Sequence, residues 1–196
     1  MPEIIMSAIH KIIQYTDKYQ KAYCDLYIAT WKEPPYLEFF TSEEIIKHLG
    51  SNKDFLYLLI EEATDKAIGF VGGRPIAHKC DFFINDSVKP IDISKGFYIA
   101  ELVVEETHKK HGWGYMLMQF LICNAREKGF NQFVLRTHSN HSNPAIGLYY
   151  KSGMKPQKMA TGEVHGVDTE QRRITGKVEK DFRIYFYKTY QINEHT

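Results

Sequence analysis

The spacing of apolar positions changes several times along this 196-residue chain, and each change marks an element. Residues 9–14 predict an opening strand. Over 18–28 the apolar residues return every three to four positions, placing Tyr19, Ala22 and Leu26 on one side of a helix. The segment Trp31-Lys-Glu-Pro-Pro-Tyr36 breaks that helix. Thr41-Ser-Glu-Glu44 has the spacing of a capping box and predicts a second helix over 42–49, closed by Gly50. Two β-rich runs, 55–61 and 66–73, flank Glu62-Ala-Thr-Asp65 and read as an antiparallel hairpin.

Residues 74–95, with Pro75, Asn85-Asp86 and Pro90, predict a long loop or insertion. A fourth strand follows over 97–105, then a long helix over 112–128 stopped by Gly129, then a strand over 132–137. Pro144 opens a short helix that ends at Ser152-Gly153. Residues 154–163 and 182–190 read as closing strands, with the charged, β-poor stretch 164–181 as a loop or hairpin tip between them. The order β-α-α-β-β-β-α-β-α-β-β predicts an α+β protein, an α/β sandwich. Its central sheet is expected to be mixed and mostly antiparallel, with helices on both faces, in one domain spanning 1–196.

Charge narrows the partners. Lys and Arg number 25 against 24 Asp and Glu, so no basic excess points to nucleic acid. The longest apolar run, 55–60, falls far short of the ~18 residues that cross a bilayer, and residues 1–13 lack a signal-peptide layout. Three scattered cysteines, Cys24, Cys80 and Cys123, suit a reducing compartment. A cytoplasmic protein with no nucleic-acid or membrane partner is expected, with the oligomeric state open between monomer and homodimer.

The strongest chemical signal is Lys109-Lys110-His111-Gly112-Trp113-Gly114, placed between a predicted strand and a predicted helix. A helix N-terminus offers unpartnered N–H groups and a partial positive charge, and glycines let an anion reach the backbone. A dinucleotide fingerprint would need a third glycine near Leu117 and a P-loop would need Gly-x-x-x-x-Gly-Lys, and neither is present. Lys109-x-x-Gly112-x-Gly114 resembles instead the acyl-CoA signature of the GNAT acetyltransferase superfamily, with Lys109 where Arg or Gln is usual. Ala145-Ile-Gly-Leu-Tyr149-x-x-x-Gly153-Met154 resembles that superfamily's second block. The elbow at Trp31 to Tyr36 and the closing strand are also loosely similar to its aminoglycoside N-acetyltransferases.

The resemblance implies acetyl-CoA as acyl donor. Leu102, Val103 and Val104 would lie beside the thioester, and Lys109, Lys110, His111, Gly112, Trp113, Gly114 and Tyr115 around the pyrophosphate. Ser142 stands in the slot where the superfamily often has a pantetheine-contacting asparagine, which leaves Asn140 and Asn143 as the candidates. Tyr149 takes the position of the acid that protonates the leaving thiolate. From the residues themselves, Glu101 interrupts an apolar strand and is the best candidate general base. Strict alternation puts it on the face of Ile99 and Val103, opposite Leu102, and a bulge would change that facing.

His108, His111, His138 and His141 make two His-x-x-His pairs but have no Cys or carboxylate at ligand spacing, so no metal is expected. Trp31, Glu33, Tyr36 and Glu38 are the acceptor-site candidates, since carboxylates among aromatics suit a cationic amine. Those readings predict an acetyl-CoA-dependent N-acetyltransferase acting in a ternary complex on a small polyamine-like or aminoglycoside-like amine. The alternatives are a protein lysine or N-terminal amine as acceptor, and a non-catalytic acyl-CoA sensor or scaffold.

Overall fold

The computed structural model describes residues 10–33, 36–76, 92–139, 143–156, 166–172 and 178–191, with only the backbone described over 166–172 and 178–181. Its elements are β1 (His10–Gln14), α1 (Gln20–Lys32), α2 (Ser42–Leu49), β2 (Leu56–Glu61), β3 (Lys66–Pro75), β4 (Gly96–Val104), α3 (Trp113–Glu127), β5 (Gln132–His138), α4 (Pro144–Lys151), β6 (Lys155–Pro156), β7 (Gly166–Arg172) and β8 (Val178–Thr189). The strands form one sheet in the order β1-β2-β3-β4-β5-β8-β6, and β7 also pairs with β8. Every described pairing is antiparallel except β4 with β5. The α+β sandwich read from the sequence is the fold observed.

Local chemistry sets the helix starts. At α2 the capping box is complete: the Glu44 amide donates to Thr41 Oγ1 at 3.2 Å and the Thr41 amide donates to Glu44 Oε2 at 2.8 Å. Asn143 caps α4, with Pro144 at its first position. One sheet face packs on α3 and α4 through Leu117, Met118, Leu121, Ile122 and Tyr149. The other packs on α1 and α2 through Tyr23, Leu26, Tyr27, Ile45 and Leu49. The buried side of α1 therefore carries Tyr19, Tyr23 and Tyr27, four residues apart, while Ala22 is only half-buried.

Three boundaries differ from those read in the sequence. Helix α1 begins after a 3₁₀ turn at Asp17–Tyr19 and runs to Lys32, four residues past the expected end. Strand β3 continues to Pro75 because β4 pairs with it that far. Strands β7 and β8 pair from Gly166↔Ile184 to Arg172↔Val178, so the stretch read as a loop or hairpin tip is a hairpin whose strands extend through most of it. Cross-strand partners there outweigh the low intrinsic β preference of a charged sequence. The remainder of the expected insertion, 77–91, and most of the predicted strand 154–163 lie outside the described residues. Among the described residues no helix is long and apolar enough to cross a membrane.

Strand β4 carries a bulge that matters for everything downstream. Gly73 pairs with Ile99 and Gly72 pairs with Glu101, so Ala100 is the extra residue on β4. Phe97 and Ile99 therefore face α3, whereas Glu101 and Val103 face α1. The expected grouping of Glu101 with Ile99 is corrected by this one residue, and the grouping with Val103 stands. Gly73 is what lets the strands close at the bulge. A Cβ there would lie 2.3 Å from Phe97 Cε1 and 2.7 Å from the Tyr98 carbonyl oxygen. Gly73→Ala is expected to lower unfolding stability by about 1–3 kcal/mol in urea denaturation, through overpacking that the backbone cannot relieve.

Candidate active site

Strands β4 and β5 pair in parallel only from Gly96↔Gln132 to Ile99↔Leu135. Strand β4 then continues to Val104 and β5 to His138, without further partners between them. A wedge opens in the sheet at this point. The β5-facing N–H and C=O groups of residues 100–104 have no strand partner among the described residues and can bond an extended ligand chain instead. Leu102 and Val104 turn half-buried side chains towards α3, and Val103 is buried towards α1, so the ligand meets main chain along this edge.

The glycine loop sits at the end of β4. Gly112 is the N-cap of α3 with φ +87°, a conformation that favours glycine, and among the described residues no side chain caps the first-turn amides. Lys110 also takes positive φ, +66°, which tightens the turn. Gly114 packs near Leu148, where a Cβ would lie 3.4 Å from its Cδ1. Lys109 pairs with Glu106, while Lys110 and His111 are exposed. Trp113 and Tyr115 are half-buried, and the Trp113 ring lies 4.7 Å from that of His10. This free helix N-terminus, ringed by basic side chains, fits a pyrophosphate.

Glu101 lies on the α1 side of the wedge. Tyr23 Oη donates to its Oε2 at 3.2 Å and Tyr27 Oη donates to its Oε1 at 3.0 Å. Burial pushes this carboxyl above the usual carboxylate range, and the two tyrosines and the Arg74 guanidinium only partly oppose that. Tyr23, Tyr27, His48, Arg74 and Glu101 line an open cleft between α1, α2, β3 and β4. Sequence reasoning missed Tyr23, Tyr27 and Arg74. The four-residue spacing of the α1 tyrosines was the available signal.

Tyr149 lies on the opposite face, 9% exposed, with its ring 5.4 Å from Phe186. Burial raises its phenol well above the ordinary value, and a hydrogen bond with Thr137 opposes part of that rise. Asn143 continues this chain of contacts: its Nδ2 donates to Thr137 Oγ1 at 2.9 Å and to the His138 carbonyl at 3.3 Å, and its Oδ1 accepts from the Ala145 amide at 3.1 Å. Both amide hydrogens of Asn143 are thus used within the protein. Asn140 lies outside the described residues.

The acceptor candidates divide. Trp31 meets Tyr36 at 4.6 Å between ring centroids, and Tyr36 meets His138 of β5 at 5.5 Å. These aromatics come to the end of β5 on the same sheet face as Glu101. Glu38 reaches that region too, but it pairs with Arg183 of β8 at 3.6 Å with both side chains largely buried, so its charge is balanced. Glu33 is exposed. Of the two His-x-x-His pairs, His141 lies outside the described residues; His111 Nδ1 lies 3.3 Å from the His108 carbonyl, and His138 sits against Tyr36.

A sequence profile of the Acetyltransferase (GNAT) family matches residues 16–154. No curated protein sequence matches the chain. Among solved structures it is similar to the ribosomal-protein-alanine N-acetyltransferase of Brucella melitensis, with TM-score 0.66 and 14% identity over 92% of this chain and 99% of that one. It is also similar to YncA of Salmonella typhimurium, solved with its cofactor acetyl-CoA, with TM-score 0.64 and 13% identity over 96% and 97%. A mosquito arylalkylamine N-acetyltransferase-like protein gives TM-score 0.62 and 13% identity over 93% and 100%. Identities this low speak to the fold, which has the wedge and glycine loop described above, while the profile match spans most of the chain. The chain belongs to the GNAT acetyltransferase family, enzymes that transfer an acetyl group from acetyl-CoA.

Proposed function

We propose that this enzyme acetylates the primary amine of a small molecule that enters the cleft between α1, α2 and β3 beside Glu101. The observation that carries this reading is the Glu101 carboxylate, held by Tyr23 and Tyr27 on the cleft wall next to the unpaired edge of β4. An amine arrives as an ammonium ion at neutral pH. One carboxylate among aromatic rings attracts it by charge and by cation–π contact. With Glu38 neutralised by Arg183 and Arg74 on the cleft wall, the site favours a single ammonium on a compact body over a polyamine or aminoglycoside.

Acetyl-CoA supplies the activated acyl group, with its pyrophosphate at the first turn of α3 and its pantetheine along residues 100–104. Glu101 takes a proton from the ammonium directly or through one water, and its raised pKa brings base and amine closer in proton affinity. The freed amine attacks the thioester carbonyl, whose developing oxyanion is stabilised by a main-chain N–H of β4. Tyr149, on the other side of the wedge, protonates the departing thiolate as the C–S bond breaks, and the second proton shed by the amide nitrogen returns the phenolate to the phenol, leaving amide, thiol and one proton on Glu101. Burial keeps the phenol neutral and therefore able to donate, but it also weakens it as an acid, so the hydrogen bond with Thr137, which opposes the rise, favours the transfer.

A thiol-release screen with acetyl-CoA tests the acceptor. Turnover is expected with small monoamines and weaker turnover with polyamines and aminoglycosides. Turnover confined to peptides would replace the proposal with protein acetylation, and acetyl-CoA binding without turnover on any amine would replace it with a sensor role.

Tyr149→Phe is expected to lower kcat by roughly 10²–10⁴-fold with little change in the acceptor KM. Full activity in that variant would remove Tyr149 from the mechanism.

Glu101→Gln gives a two-part outcome. As a base Glu101 must be ionised, so wild-type kcat/KM falls as pH drops through its raised pKa, and the variant loses rate at every pH. Stability runs the other way. The folded protein binds this proton more tightly than the unfolded chain, so wild type loses stability as pH rises from the ordinary carboxylate range through the raised folded value. E101Q should therefore gain stability relative to wild type as pH rises from 4 to 8 in denaturant titrations.

A further inference from the structure

Three side chains from separate segments meet beside the glycine loop and take no part in the chemistry above. His10 of β1, Glu61 of β2 and His108 of the turn after β4 each offer one ligand atom, and these atoms lie within 4.8 Å of one another. His10 and Glu61 are direct cross-strand partners, so their side chains share one face. His108 Nε2 stands 3.7 Å from Glu61 Oε1, too far for a hydrogen bond. His10 Nε2 is buried and has no hydrogen-bond partner among the described residues. Such a group is costly unless something else bonds it.

The far sides of two of these ligands are already occupied. His108 Nδ1 lies 3.1 Å from Glu105 Oε2 and 3.0 Å from Thr107 Oγ1, which directs its Nε2 towards Glu61. Thr64 Oγ1 donates to Glu61 Oε2 at 2.6 Å, which leaves Oε1 facing the histidines. A carboxylate behind an imidazole, and a hydroxyl behind a carboxylate, are the outer contacts that orient metal ligands. Ligand atoms around tetrahedral zinc sit about 3.3 Å apart, so side-chain movements of about 1 Å would close this group on an ion.

We propose that His10 Nε2, Glu61 Oε1 and His108 Nε2 bind a divalent ion of the zinc type, with a fourth position left for water. Two imidazoles and one carboxylate select a borderline ion such as Zn²⁺ over Ca²⁺ or Mg²⁺. The ion ties β1 and β2 to the turn that leads into Lys109, and the His10 ring contacts Trp113, the first residue of α3. Its place is structural, at the foot of the phosphate loop and apart from Glu101 and Tyr149. Sequence spacing hides the site, because its ligands lie at positions 10, 61 and 108 and only the sheet brings them together.

Untagged protein stripped with a chelator and titrated with Zn²⁺ by calorimetry is expected to bind one tight equivalent. His10→Gln, Glu61→Gln and His108→Gln should each weaken binding by roughly 100-fold or more, and Glu105→Gln by roughly 10–100-fold. His111→Asn should leave binding unchanged. Zn²⁺ should raise the Tm of wild type and not that of the three ligand variants. Should a variant fail to fold, diethyl pyrocarbonate labelling of wild type decides the matter. Zn²⁺ should protect His10 and His108 from modification, read by mass spectrometry. Zn²⁺ binding only in the millimolar range, full affinity in the ligand variants, or protection confined to other histidines would overturn the site.

Discussion

Strand β4 keeps antiparallel partners in β3 from Phe97 to Val104 but parallel partners in β5 only as far as Ile99. Half of one strand in a sheet covered on both faces is thus left with main-chain groups that no described strand bonds. Unpaired backbone costs free energy comparable to a lost hydrogen bond at each group, so this edge is strongly biased to accept an extended ligand. The bulge at Ala100 lies at the same point. Bulges bend a strand and raise its twist, which here coincides with the loss of the β5 partner and with the turn of Glu101 towards α1. The facing of the carboxylate is therefore a consequence of one extra residue, accommodated by the missing Cβ of Gly73, at the point where β4 and β5 part.

The carboxylate placed in that way is under tension. Moving an unpaired carboxylate out of water costs several kcal/mol, whereas hydrogen bonds to a charged group return about 1.5–3 kcal/mol each. Two tyrosine hydroxyls and a guanidinium nearby offset much of the cost without removing it, which is why the pKa stays raised rather than lowered. Added cations would lower it again and make a weaker base. The balance between α1 tyrosines and Arg74 therefore sets proton affinity, and it does so at the expense of folding stability.

The local geometry of the glycine loop was legible in the sequence and the packing of the α1 face was not, for a physical reason. Gly112 and Gly114 report backbone geometry, and that geometry is local: a strand end, a tight turn and a helix start lie within a few residues of one another. The capping box at Thr41 and the Asn143-Pro144 start of α4 are local in the same sense. Glu101 could be singled out because a carboxylate breaks an apolar run, but its facing depended on the bulge. Its partners Tyr23 and Tyr27 lie 78 and 74 residues away. The pairing of Glu38 with Arg183, and the hydrogen bond from Asn143 to Thr137, are also products of sheet order and not of spacing.

The division between main chain and side chain also explains how acceptor choice can change while the donor site persists. Anion binding at α3 needs a left-handed N-cap, free amides and a helix start, and many sequences supply these. The acceptor wall is instead assembled from α1, the segment after it, β3 and the ends of β5 and β8, so each contact depends on packing between elements. The α1 face is thus set by packing between distant elements, and the turn into α3 by a few neighbouring residues.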